Sequence, residues 1–137
     1  MDAPRRSRNP IDTALGLLMA AAAVTLAAAS LLHFGVAIPL GAATISDPFV
    51  AAAIPEAVIA VALAAGAVSV LARLTVGAWL APAATLFALA ATLYGLTVTL
   101  RRGQAGDIAY HLTLLAMLVA SAGLQLIRAG RRRVGPA

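Results

Sequence analysis

The sequence predicts an all-α integral membrane protein: a four-helix bundle with both termini in the cytoplasm and a long apolar first outer loop. Of its 137 residues, 62% are hydrophobic and 11% are charged, with a mean hydropathy of +0.96. Soluble domains are about 45–50% apolar and about 25% charged, and so short a chain has little interior in which to hide more apolar surface. The apolar residues also fall into four long stretches, and the arginines cluster near the chain ends.

The four apolar stretches define the predicted spans, because roughly 20 apolar residues cross the hydrocarbon core of a bilayer. Within one membrane domain covering residues 1–137, we place the spans at 13–32, 48–72, 76–100 and 108–127, with basic tails at 1–10 and 128–137. We expect the second span to begin at Pro48 with Asp47 as its N-cap. Pro55 should kink this helix, since proline lacks a backbone N–H.

The connection between the first two spans is mostly apolar but contains helix-breaking residues, among them Pro39 and Gly41. Backbone groups that lack hydrogen bonds cannot face lipid without a cost of several kcal/mol each. We therefore expect residues 34–45 to pack against the outer end of the bundle. The first span could alternatively be a cleaved signal peptide, but its apolar run exceeds the 7–15 residues typical of one.

The distribution of arginines predicts the orientation, because basic residues are retained on the cytoplasmic side. With the N-terminus inside, only Arg101 and Arg102 fall outside. Eight arginines then lie inside: Arg5, Arg6, Arg8, Arg73, Arg128, Arg131, Arg132 and Arg133. The outward pair could meet an anionic partner or lipid headgroups. The sequence thus predicts a multi-pass protein with the lipid bilayer as its partner, and a second membrane protein or further copies of itself as possible partners.

Composition and motifs exclude several function classes. The chain has no cysteine, which removes disulfides, thiolate metal sites and cysteine nucleophiles. It lacks a phosphate loop, a dinucleotide-binding glycine pattern and the H-E-x-x-H and G-x-S-x-G motifs. Its basic clusters flank apolar spans and indicate membrane topology rather than nucleic-acid binding. Nothing in the sequence requires a cofactor, and no motif indicates an enzyme.

The candidate functional residues are ionisable groups near the outer ends of the spans, where charge is costly and commonly functional. They form a predicted outer cluster of His33, Glu56, Asp107 and His111. Glu56 precedes Ala72 by 16 residues, about 24 Å along a helix, which places it near the outer boundary of a core about 30 Å thick. We expect Glu56 and His111 to face each other across the bundle.

The fourth predicted span has two faces suited to packing against a neighbouring helix, one polar and one composed of small residues. Asp107, His111 and Gln125 lie on one side of the helix, and such polar groups should face protein rather than lipid. Small residues on another side would allow close approach of a neighbouring helix; they are Ala109, Thr113, Ala116, Ala120 and Gly123. Tyr94 and Tyr110 fit the aromatic belts at membrane interfaces.

Three uses of the outer cluster stay open from the residues alone. His33 and His111 could ligate haem or, with a carboxylate, a transition metal. The cluster could bind an apolar small molecule such as a quinone or a lipid. Glu56 could act as the coupling carboxylate of a proton-driven small transporter. Each residue could instead be a hydrogen-bonded interfacial group without such a role.

The residues Pro55-Glu56, the apolar run to Gly66, Arg73 and the third span resemble the DoxX-type small membrane proteins. That resemblance implies four helices, a long apolar first loop and a bacterial cytoplasmic membrane, and it implies no reaction. Small multidrug-resistance transporters also have four helices, but their membrane glutamate lies in the first, where this chain has none. We therefore expect a non-catalytic subunit or interaction protein of a bacterial inner-membrane complex.

Overall fold

The computed structural model describes residues 9–134, which form four long helices and one short β-hairpin. The helices are α1 (Pro10–His33), α2 (Val50–Leu71), α3 (Gly77–Arg102) and α4 (Ala105–Val134). All four are long and apolar enough to cross a membrane. The prediction of four apolar helices is thereby confirmed. The predicted basic tails lie partly outside the described residues, and α1 and α4 include their inner parts.

Sequence signals explain several helix ends. Asn9 caps α1, because its side chain accepts a hydrogen bond from the Ile11 N–H (3.1 Å) and Pro10 occupies the first helical position. Gly103 ends α3 in the left-handed conformation (φ 70°) that glycine adopts at little cost. Pro55 lies inside α2, and the kink that we expect there stays a prediction.

The predicted start of α2 is wrong. The helix begins at Val50 with Phe49 as its N-cap, and no side chain caps it. Asp47 instead contacts His33 at the end of α1, 3.5 Å away. The backbone takes over the capping in part, since the Phe49 N–H donates to the carbonyl oxygen of His33 (2.9 Å). A tertiary contact between the two chain segments therefore replaces the local cap.

The connection between α1 and α2 forms an antiparallel hairpin, β1 (Ile38–Leu40) with β2 (Ala43–Ile45), in which Ile38 pairs with Ile45. Gly41, the first turn residue, has the positive φ (63°) that a type II′ turn requires. Our expectation that residues 34–45 pack against the bundle is wrong, because nearly all of these residues are exposed. Pairing between the two strands satisfies their inward-facing backbone groups, and the outward-facing groups of these exposed residues are open to the surroundings. We call this end of the bundle the hairpin end.

The helices form a closed ring in which each packs against its neighbours in the chain and α4 returns to α1. Leucines and small residues fill the centre; the most fully enclosed include Leu15, Met19, Leu63 and Leu118. Large apolar side chains also cover the outside of the ring, for example Val24, Val61, Leu86, Val119 and Leu126, each more than half exposed. An apolar exterior around an apolar core is typical of helices that face lipid.

Polar contacts hold the end of the bundle opposite the hairpin. Arg128 of α4 forms an ion pair with Asp12 of α1 (Nε to Oδ1, 2.7 Å), a partner that the sequence analysis missed. Gln125 donates to the hydroxyl of Thr85 (2.8 Å) and so faces protein, as predicted. The small-residue stripe of α4 is largely exposed, so that expectation is wrong. On the polar side of α4, Gln125 points inward, where it meets the carbonyl oxygen of Ala81 and the hydroxyl of Thr85 on α3.

Candidate functional site

All four helices line one cavity of about 310 Å³ at the hairpin end. Its wall is mainly apolar, with Leu26, Ile59, Ala91, Val98 and Leu114 among the lining residues. The four residues of the predicted outer cluster, His33, Glu56, Asp107 and His111, all line it. These four residues come from three helices. The structure therefore brings together the side chains for which the sequence predicts a similar depth.

Glu56 is nearly buried and its partner is His33. The Nδ1 atom of His33 lies 2.6 Å from a carboxylate oxygen of Glu56, with the two side chains only 13% and 9% exposed. So short a contact to a carboxylate is typical of a charge-assisted hydrogen bond. We expect Glu56 and His111 to point into the bundle and lie near each other, and both line this cavity. The hydrogen bond of Glu56, however, goes to the helix beside it in the ring.

His33 also contacts a second carboxylate. Its Nε2 atom lies 3.5 Å from Asp47, whose side chain is 46% exposed. The imidazole therefore stands between a buried carboxylate and one at the surface. Phe49 packs edge-on against the imidazole, with ring centroids 5.9 Å apart. The guanidinium of Arg102 in turn lies 4.1 Å above the Phe49 ring, a cation–π contact that joins α3 to the start of α2.

His111 is held by the backbone of its own helix. Its Nδ1 atom donates to the carbonyl oxygen of Asp107 (2.8 Å), as the spacing of four residues allows. The other ring nitrogen, Nε2, lies against Gly95 of α3, so closely that a Cβ at that glycine would come within 2.7 Å of it. Glycine is therefore needed at position 95 for this placement of the imidazole.

Two hydroxyl groups at the cavity were not among the predicted site residues. Thr92 of α3 is 3% exposed, and neither its Oγ1 nor the buried hydroxyl of Tyr110 has a hydrogen-bond partner among the residues described. Both side chains line the cavity. Tyr110 fitted an interfacial belt in sequence, and that interpretation is wrong because its hydroxyl is buried. Tyr94, by contrast, is 73% exposed, as a belt tyrosine should be.

The most exposed part of the cavity lining lies on two neighbouring helices. The most exposed lining residues are Ala51 and Pro55 of α2 and Tyr94 of α3, with Arg102 at the hairpin end. Because α2 and α3 pack side by side, these residues lie on the flank of the bundle where the two helices meet.

The hypothesis of a haem or metal held by His33 and His111 stays a prediction. Within residues 9–134, no group of three or more histidine, aspartate or glutamate side chains is arranged to hold a metal ion. Both ring nitrogens of His33 contact carboxylates, and Nδ1 of His111 donates to a carbonyl. Nε2 of His33 lies beside the half-exposed Asp47, and Nε2 of His111 faces Gly95.

The chain has no significant match among protein-family models, curated proteins or solved structures. What the cavity can do chemically therefore follows from its own geometry. It presents an apolar wall, a buried histidine–carboxylate pair and two hydroxyls without partners. The arrangement can enclose a compact apolar molecule and orient it through a few polar contacts.

Proposed function

We propose that this chain is a multi-pass protein of a bacterial cytoplasmic membrane that binds a small, mostly apolar molecule in the cavity at the hairpin end. In this role it is a non-catalytic, ligand-binding member of a membrane complex. The DoxX-like pattern around Pro55-Glu56 supports the bacterial assignment. The arginine distribution, eight against two, supports cytoplasmic termini and a hairpin end on the outer side.

The single observation that carries the ligand-binding proposal is the cavity. Ligand sites are typically concave volumes of about 300–1,000 Å³ with apolar walls and a small number of placed polar groups. The volume of about 310 Å³ and the lining match that description. The exposed lining on the flank formed by α2 and α3 suits a molecule that arrives from the bilayer rather than from water.

The proposal is tested by saturable binding in lipid nanodiscs. The probe is 2-acetylnaphthalene, and its partition into empty nanodiscs is subtracted. The variant Ala91→Phe fills the cavity and should abolish one-to-one binding, because Ala91 lines the wall. The matched variant Ala90→Phe adds the same ring at an exposed neighbouring position and should bind normally. Equal binding by both variants, or no saturable binding at all, contradicts the proposal.

A proton-coupled transporter is the second candidate, favoured by one specific feature. Glu56 is a nearly buried carboxylate that connects through His33 to the half-exposed Asp47. This series of three ionisable side chains gives protons a route from the hairpin end to the cavity. Proteoliposomes that contain a pH-sensitive dye test this role: proton movement driven by a substrate gradient should be lost in Glu56→Gln. Unchanged proton movement in that variant removes the candidate.

A further inference from the structure

We infer that the ligand of this cavity carries a carbonyl-type hydrogen-bond acceptor that receives the hydroxyl protons of Thr92 and Tyr110. This inference rests on the proposed ligand-binding function and specifies the chemical class of the ligand. The two hydroxyls come from adjacent helices, α3 and α4, and both side chains line the cavity. Each hydroxyl is buried, and neither has a partner among the residues described.

The unpartnered state of Thr92 is unusual within this protein. Hydroxyls elsewhere in the helices donate to a backbone carbonyl three or four residues earlier, as in Thr25, Thr97, Thr113 and Ser121. Ser30, which is buried like Thr92, reaches across to the carbonyl of Ala53 (2.8 Å). Buried polar groups nearly always have partners. The hydroxyl of Thr92 makes no hydrogen bond to its own helix and is out of contact with water. Because Thr92 lines the cavity, a ligand there would supply the missing partner.

The charges around the cavity argue against a charged ligand. The carboxylate of Glu56 is met by His33, and His33 is met on its other side by Asp47. A ligand cation would have to compete with that imidazole for Glu56, and the other lining carboxylate, Asp107, shares the cavity wall with the cation Arg102. The two hydroxyls are neutral and have no partner among the residues described. A carbonyl oxygen has two lone pairs and no proton, so it accepts from two hydroxyls at once. The apolar body of the ligand would lie against the aliphatic side chains of Leu26 and Ile59 in the cavity wall.

Carbonyl groups reach this site from two sources, a free ketone- or quinone-like molecule or the ester group of a membrane lipid. Nanodiscs built from ether-linked phosphatidylcholine contain no lipid carbonyl and separate the two. In them, 2-acetylnaphthalene is compared with 2-isopropenylnaphthalene, which replaces the carbonyl oxygen by CH₂ and keeps the shape. Diester phosphatidylcholine is then added as a competitor. Displacement of the ketone identifies a lipid as the source, and no displacement identifies a free molecule; the inference on carbonyl recognition stands in both cases.

The expected result is tighter binding of the ketone than of the isopropenyl compound. Thr92→Val and Tyr110→Phe should each weaken ketone binding about 2- to 10-fold, the range of one net hydrogen bond, and leave the isopropenyl compound unaffected. The infrared stretch of a ¹³C-labelled carbonyl should lie lower in the wild-type site than in lipid and return upward in the double variant. Thr113→Val is the control, because that exposed hydroxyl already donates to Ala109.

The outcomes separate this inference from the proposed function. If ketone and isopropenyl compound bind equally and the carbonyl stretch does not shift, the inference fails while ligand binding stands. If neither compound binds saturably to a protein whose circular dichroism is intact, the proposed function itself fails. A third probe, 2-naphthyltrimethylammonium, tests the cationic alternative. Tighter binding of this cation, lost in Glu56→Gln, would overturn the assignment to carbonyl compounds.

Discussion

The hydrogen bond between His33 and Glu56 should be a major tie between α1 and α2 at the hairpin end. Its length is 2.6 Å, and the two side chains are 13% and 9% exposed, so little water is present to replace either partner. A hydrogen bond to a charged group contributes about 1.5–3 kcal/mol net. Removing one partner of a buried pair costs about 3–5 kcal/mol, because the other is left without compensation. Glu56→Ala and His33→Ala should each lower the free energy of unfolding by about 3 kcal/mol.

A double-mutant cycle isolates the interaction from the loss of packing. We expect the two substitutions to be coupled by about 1.5–3 kcal/mol, measured by unfolding in mixed detergent micelles with increasing sodium dodecyl sulfate and followed by circular dichroism. Asp47→Ala is the comparison variant, because Asp47 contacts the same imidazole and its coupling energy to His33 can be measured in the same way. Its contact is longer (3.5 Å) and its side chain is 46% exposed, so its coupling to His33 should stay below about 1 kcal/mol. Equal couplings, or a His33–Glu56 coupling near zero, would refute the reasoning.

Three further outcomes are expected elsewhere in the chain. Gly77→Ala should destabilise the bundle by about 1–3 kcal/mol in the same unfolding assay, because its Cβ would lie 2.8 Å from a backbone oxygen of α2. Gly123→Ala, which meets nothing within 4 Å, should show no such loss. Arg128→Gln should cost about 1–2 kcal/mol through its ion pair with Asp12 (2.7 Å), and strict additivity with Asp12→Asn would contradict that pairing. A phosphatase fused after Ala137 should be inactive, since we expect a cytoplasmic C-terminus; strong periplasmic activity would reverse the topology.

The residues of the candidate site were predictable, but their pairing was not. Distance along a helix fixes depth, so the positions of Glu56 and His111 near one end of the bundle follow from counting residues. Which groups touch depends on the rotation of each helix about its axis and on the order of helices around the ring. That order places α1 beside α2, and the partner of Glu56 is accordingly His33. The hydroxyls of Thr92 and Tyr110 gave no signal in sequence, because an unpartnered state exists only in the folded structure.

The sequence by itself determined four long apolar helices, because hydrophobicity and backbone hydrogen bonding act locally along each segment. It also determined that one end of the bundle would hold both histidines and three of the five acidic side chains, since their depth is set by position in the chain. Only the tertiary structure decided where α2 begins, that residues 38–45 form a hairpin, and which face of α4 points inward. Each of these depends on contacts between segments that are distant in sequence. The hydrogen-bond partner of a backbone or side-chain group is set by which groups the packing of the helices brings close to it.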